Sequence, residues 1–197
     1  MEQKTTNNEW SNPTPAGLVA LAVACICFFA LLTGGVDKSA MPLIGCWLLG
    51  GFVVQLVVAL LDLKGKNTTG GNTFLFFSAF FMLTGGLEMF VKYLSAGGVD
   101  ARIDGYAWAV LALALLLWTP AFCKKFSLLS LVVIALDIAL PLIALVDLKI
   151  LTDPVFATIA AYALLIAGIK AVYLASATVV NAAFGRPVYP LPGQKRK

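Results

Sequence analysis

The sequence predicts an all-α integral membrane protein, a bundle of six transmembrane helices. Three observations carry this expectation. First, 60% of the 197 residues are hydrophobic and only 12% are charged, whereas soluble domains are about half apolar and about a quarter charged. Second, the mean hydropathy is +0.92, which implies more apolar surface than a water-soluble core of this length can hide. Third, the apolar residues fall in runs of about 20, the length that crosses a hydrocarbon core. A single membrane domain fills the chain and leaves no room for a soluble catalytic one.

The runs cover approximately 16–35, 41–62, 73–95, 104–122, 127–148 and 154–184, the last reaching beyond the bilayer. Residues 1–15 form a polar N-terminal segment, 16–184 the membrane domain, and 185–197 a basic tail. The first run opens after Asn12-Pro13-Thr14-Pro15. Proline is tolerated there because its missing N–H would be unpaired, and Asn12 supplies a capping oxygen. Gly35-Val36-Asp37-Lys38 turns into the second run, which holds Gly50-Gly51 and one mid-span polar residue, Gln55. A loop from Lys64 to Gly71 leads to the third, crowded with Phe74, Phe76, Phe77, Phe80 and Phe81. Most of these rings are expected in packing or lipid contact, with one or two narrowing a pore. Gly97 to Asp104 leads to the fourth run, Lys124-Lys125 to the fifth, and Asp147 to Asp153 to the sixth. Links this short force an up-and-down bundle. Small residues such as Gly85-Gly86, Ala112, Ala114 and Ala167-Gly168 let helices approach closely where lipid supplies no hydrophobic drive.

The basic residues set the orientation. With the N-terminus inside, that side holds Lys4, Lys64, Lys66, Lys124, Lys125, Arg186, Lys195, Arg196 and Lys197. The other holds Lys38, Lys92, Arg102 and Lys149. This asymmetry places both termini in the cytoplasm, with the chain in the cell membrane. The net charge of +4 is therefore a topology signal and points to lipid, not nucleic acid, as the partner. The first 15 residues lack a basic patch feeding a cleavable apolar stretch, so no signal peptide is expected. The sequon Asn67-Thr68-Thr69 falls on the cytoplasmic side and is expected to be silent.

Nothing in the pattern supports catalysis. There is no histidine, and no G-x-S-x-G, phosphate loop or H-E-x-x-H motif. Cys25, Cys27, Cys46 and Cys123 lie in or beside apolar runs and read as small packed hydrophobes. No metal site or cofactor is expected. Gly70-Gly71 beside Asn72-Thr73 reads as a turn.

Polar groups at membrane depth are costly and usually functional. Gln55 fits either an interhelical hydrogen bond or a pore wall. Glu88, Asp137 and Lys170 each fall inside a run. Three isolated charges there would be prohibitive, so pairing of Glu88 or Asp137 with Lys170 is expected. A substrate-facing Lys170 and a proton-carrying carboxylate are the other readings. At the start of the first run, unpaired N–H groups and the positive dipole end attract an anion such as a carboxylate. Asn12, Pro13, Thr14, Pro15, Gly17 and Leu18 are therefore the candidate substrate mouth.

At these residues the chain resembles the acetate uptake transporters, also called succinate–acetate permeases. Their first helix opens with Asn-Pro-Ala-Pro-Leu-Gly-Leu, matched by Asn12 to Leu18 with Thr14 and Ala16 substituted. Gly51, Gln55 and Ala59-Leu60-Leu61-Asp62 match the second helix, and Gly71-Asn72-Thr73-Phe74 is intact. Tyr173-Leu174-Ala175 and Asn181-Ala-Ala-Phe184-Gly185-Arg186 match the end. The resemblance implies hexamers with a pore through each protomer, and passage of acetate-type carboxylates, succinate in some members, by proton symport or as a channel. It also implies a hydrophobic constriction, which by register falls on Leu21, Leu83 (or Met82) and Leu131. Asn72, Thr73, Tyr173 and Asn181 join Gln55 as expected pore-lining polar groups. Aliphatic residues stand where the family's first and third helices carry aromatic ones. Glu88, Asp137 and Lys170 also depart from the family pattern. The rival readings are a channel for a neutral solute such as urea or another amide, and a non-transporting structural protein.

Overall fold

Six helical spans are long and apolar enough to cross a bilayer, as the apolar runs require. The computed structural model describes residues 11–95 and 98–191. Lys4, Lys195, Arg196 and Lys197 of the orientation argument lie outside them. The helices are α1 (Thr14–Leu32), α2 (Met41–Lys64), α3 (Thr68–Phe76), α4 (Gly85–Leu94), α5 (Arg102–Cys123), α6 (Leu128–Asp147) and α7 (Pro154–Phe184). A π-helical segment, Phe77–Thr84, joins α3 to α4, so Thr68–Leu94 forms one continuous third span.

Neighbouring helices close into a ring. The third span packs on α2, α2 on α1, α1 on α7, α7 on α6 and α6 on α5. The α3–α5 contact completes the circle. Small residues make the crossings close. A Cβ on Gly45 would lie 2.8 Å from the Gly86 carbonyl, and one on Gly17 2.6 Å from the Phe74 ring. In α7 the packed stripe is Ala160, Leu164, Ala167, Ala171 and Ala175, one face of a 3.6-residue period.

The third span starts at Thr68 rather than 73, because Asn67 caps it: its side chain accepts from the Gly70 N–H at 3.1 Å. The glycine pair read as a turn is thus the first turn of a helix. The π segment adds a residue per turn, and the Thr84 hydroxyl donates to the Ala79 carbonyl at 3.0 Å. Side chains beyond Phe77 are therefore rotated from the register that an α-helix would give.

Candidate permeation pathway

The ring encloses two vestibules. The near one, on the side of the chain termini, has a volume of about 300 Å³. Its walls are Leu18 and Leu21 of α1, Thr73 and Phe74 of α3, and Val132 and Val133 of α6. The far one, about 530 Å³, is walled by Phe28, Phe81, Trp108, Leu140 and Leu164. Phe77 and Leu136 line both. A ring of the third span and a leucine of α6 thus form the neck between them. On the near side a polar groove of about 770 Å³ runs past Asn12, Thr14, Asp62, Lys64 and Lys66. Thr14 and Asn67 line both groove and near vestibule and make a second neck. Groove, near vestibule and far vestibule are contiguous through shared walls.

The α1 opening behaves as its sequence implies. The Asn12 side chain accepts from the Thr14 N–H at 3.0 Å, Pro15 sits in the first turn, and Leu18 faces the near vestibule. Gly17 gives up its side chain to the Phe74 ring. Leu21 lines the near vestibule as expected.

The other constriction positions need correction. Met82 is fully buried and packs its sulfur against Gly51. Leu83 and Leu131 are half-buried and line neither vestibule. Phe77 and Phe81, about one turn apart, face the vestibules, and Leu83 does not. On α6 the residues lining the near vestibule are Leu129, Val132, Val133 and Leu136, which skip Leu131. The aromatic side chain at the neck is Phe77, a position that the family register did not single out.

Of the polar candidates, only Thr73 lines a vestibule. Gln55 is fully buried and donates to the Gly17 carbonyl at 3.4 Å, pinning α2 to α1. The Asn72 side chain donates to the Thr68 carbonyl at 2.8 Å, within its own helix. Tyr173 and Asn181 face away from the axis and grip the tail. The Tyr173 hydroxyl donates to the Pro190 carbonyl at 2.8 Å. Asn181 Oδ1 accepts from the Val188 and Tyr189 N–H groups at 2.7 and 2.9 Å, and its Nδ2 donates to the Tyr189 carbonyl. Neither residue lies on the small-residue stripe of α7, a signal that could have excluded them from the interior.

The expected pairing with Lys170 does not form. Lys170 is half-buried and makes no ion pair among the described residues. Glu88 pairs one helical turn along α4 with Lys92, at 3.5 Å. Lys92 also contacts Asp104, which is only 6% exposed. Asp147 adds a third carboxylate within electrostatic reach of Lys92, and Glu88, Lys92 and Asp147 all line the far vestibule. Asp37 stands at the same mouth, held below the usual carboxylate range by its bonds from Ser39. Asp137 faces α5, where the Thr119 hydroxyl donates to Oδ2 at 2.6 Å. The sequence reading treated Glu88, Asp137 and Lys170 as the deep charges, and missed Asp104 and Asp62.

Asp62, on the last turn of α2, is 5% exposed. Thr14 donates to its Oδ1 at a long 3.5 Å. Oδ2 is buried beside the Asn67 amide but closes no hydrogen bond of standard geometry.

Comparison with known proteins follows this layout. No protein-family model matches the chain. The succinate-acetate/proton symporter SatP of Escherichia coli K12 is 25% identical over 188 residues, covering 94% of this chain and 97% of that one. SatP of Shigella flexneri matches to the same extent. The structure of the bacterial acetate channel SatP superposes with a TM-score of 0.81 at 25% identity, covering 92% of this chain and 99% of that chain.

Proposed function

We propose that the chain is an acetate transporter and that each protomer passes acetate and similar small carboxylates along its own axis. The observation that carries this reading is the Phe77–Leu136 neck between two vestibules inside one six-helix ring. A dry, narrow, apolar neck favours a small, singly charged, partly apolar acid over a strongly hydrated inorganic ion. At the near mouth the N-termini of α1 and α3 converge on the groove, and their N–H groups attract the carboxylate. Asn12 to Leu18 form the threshold that the substrate crosses. The chain is an integral membrane protein and not an enzyme.

Basic residues favour a cytoplasmic near mouth, with both termini inside and the protein in the cell membrane. The broad apolar outer face of α5, with Val110, Leu113 and Leu117 exposed, suits lipid or neighbouring protomers of a homo-hexamer. A proton accompanies the substrate.

The test is acetate flux through bilayers holding the purified protein, with protein-free bilayers subtracted. At pH 7 nearly all of the acid is ionised, so unaided diffusion is smallest there. Protein-dependent acetate flux is expected, and urea flux is not. Flux of urea without acetate, or of neither, overturns the reading.

A further inference from the structure

Asp62 places a carboxylate on the wall of the near-side groove that a passing substrate enters. It borders the neck that joins the polar groove to the near vestibule, beside Thr14 and Asn67. It is nearly buried, and Oδ2, beside the Asn67 amide, closes no hydrogen bond of standard geometry. Gly70 lets the Asn67 amide and this oxygen pack against the start of α3, since a Cβ there would collide with both, 2.9 Å from Oδ2. Among the described residues, the charged groups beside it are Lys64, on its own helix, and Lys66, in the following link; both line the groove. α1 and α3 present Thr14, Asn67 and Gly70, which do not titrate.

Two carboxylates in contact cannot both stay ionised in a poorly hydrated site; they hold one proton between them. We propose that Asp62 is the proton-sharing residue of the near neck: substrate passes it as a carboxyl–carboxylate pair holding a single proton. Oδ2 is the free atom that accepts or donates this hydrogen bond. When the substrate leaves as the undissociated acid, Asp62 is left ionised and takes its next proton from groove water. When the substrate leaves as the anion, the O–H bond stays on Asp62. The two lysines draw the anion toward the neck without supplying the proton. Ionised together, acid and Asp62 repel, and passage stops.

The inference rests on the reading of the chain as a carboxylate permease, and its test separates the two. Acetate flux and acetate-dependent current are measured across bilayers holding the wild type, Asp62→Asn and Asp62→Glu, with pH raised from 6 to 8 on both sides. Absence of protein-dependent acetate flux in the wild type would defeat the permease reading itself. Given flux, the wild type should slow as pH rises, by up to about tenfold per unit, the slope of a one-proton requirement. Asp62→Asn should keep its flux, lose that slope, and show acetate current because the anion now passes alone. Asp62→Glu should restore the slope and suppress the current. An unchanged slope in Asp62→Asn overturns the proposal. So does loss of flux in both variants when each assembles and melts like the wild type, since Asp62 would then be merely structural.

Discussion

The two mouths of the pathway handle charge in opposite ways. At the far mouth Glu88, Lys92, Asp104 and Asp147 sit on three different helices, and the lysine contacts two of the acids. At the near mouth one carboxylate, Asp62, is held by a long contact from Thr14 and keeps a free oxygen. Taking a charge out of water is costly unless a partner and hydrogen bonds repay it. The far cluster meets that cost internally, so its charges tie α4 to α5 and α6. The near carboxylate does not, and an unsatisfied group on a pathway is available to whatever passes. Charge count alone would have chosen the wrong end: the far mouth has more ionisable groups, and the near one has the group with unspent capacity.

The sharpest way to break this contrast is to remove Lys92. If the cluster is structural, Lys92→Ala strands Asp104 and costs about 3–5 kcal/mol, the range for breaking a buried pair from one side. The melting temperature in detergent should fall sharply, and adding Asp104→Asn should recover most of the loss. A Lys92→Ala protein that melts normally but loses flux would move the cluster from scaffold to pathway.

Next in size is the neck. Phe77 is 3% exposed and bounds both vestibules, so Phe77→Ala should join them and admit bulkier carboxylates. Leu136→Ala should do the same to a lesser degree. Leu83→Ala and Leu131→Ala, which touch neither vestibule, should leave selectivity as it is. Selectivity that follows Leu83 and not Phe77 would return the constriction to the position that the family register implies.

These comparisons also mark how far the sequence could be read. Spans and their order follow from apolar runs of bilayer length, and the α1 opening from proline and asparagine chemistry at a helix start. All are local. The neck was not legible, because which ring of the third span meets Leu136 is decided by how the helices pack, and no local pattern carries that. Leu83 was placed by register against the family motifs, which do not report the packing. Glu88 and Lys92 lie at the spacing of a helical salt bridge and could have been paired on that ground. Asp104 could not, because it reaches Lys92 only through the α4–α5 packing. For Lys170 the expectation failed differently: a long side chain can carry its ammonium toward the interface, so depth of the backbone did not compel a partner.

The smallest effect is expected at a polar clasp that belongs to neither mouth. Asn181 satisfies three backbone groups of the returning tail, the N–H of Val188 and the N–H and carbonyl of Tyr189. Irregular backbone cannot lie unpaired against lipid, so this side chain allows residues 185–190 to fold back along the exposed face of α7. Asn181→Ala removes all three bonds, each worth about 1 kcal/mol net, while Tyr173 still holds the Pro190 carbonyl. Amide hydrogen exchange at Val188 and Tyr189 should therefore accelerate, with exchange in the α7 stripe from Ala160 to Ala175 unchanged. Acetate flux should stay within about twofold, because no atom of this clasp lines the axis and its loss is worth only a few tenths of a kcal/mol there. A large loss of flux with the stripe still protected would return Asn181 to the pathway. It would also mean that the tail, and not the neck, governs passage.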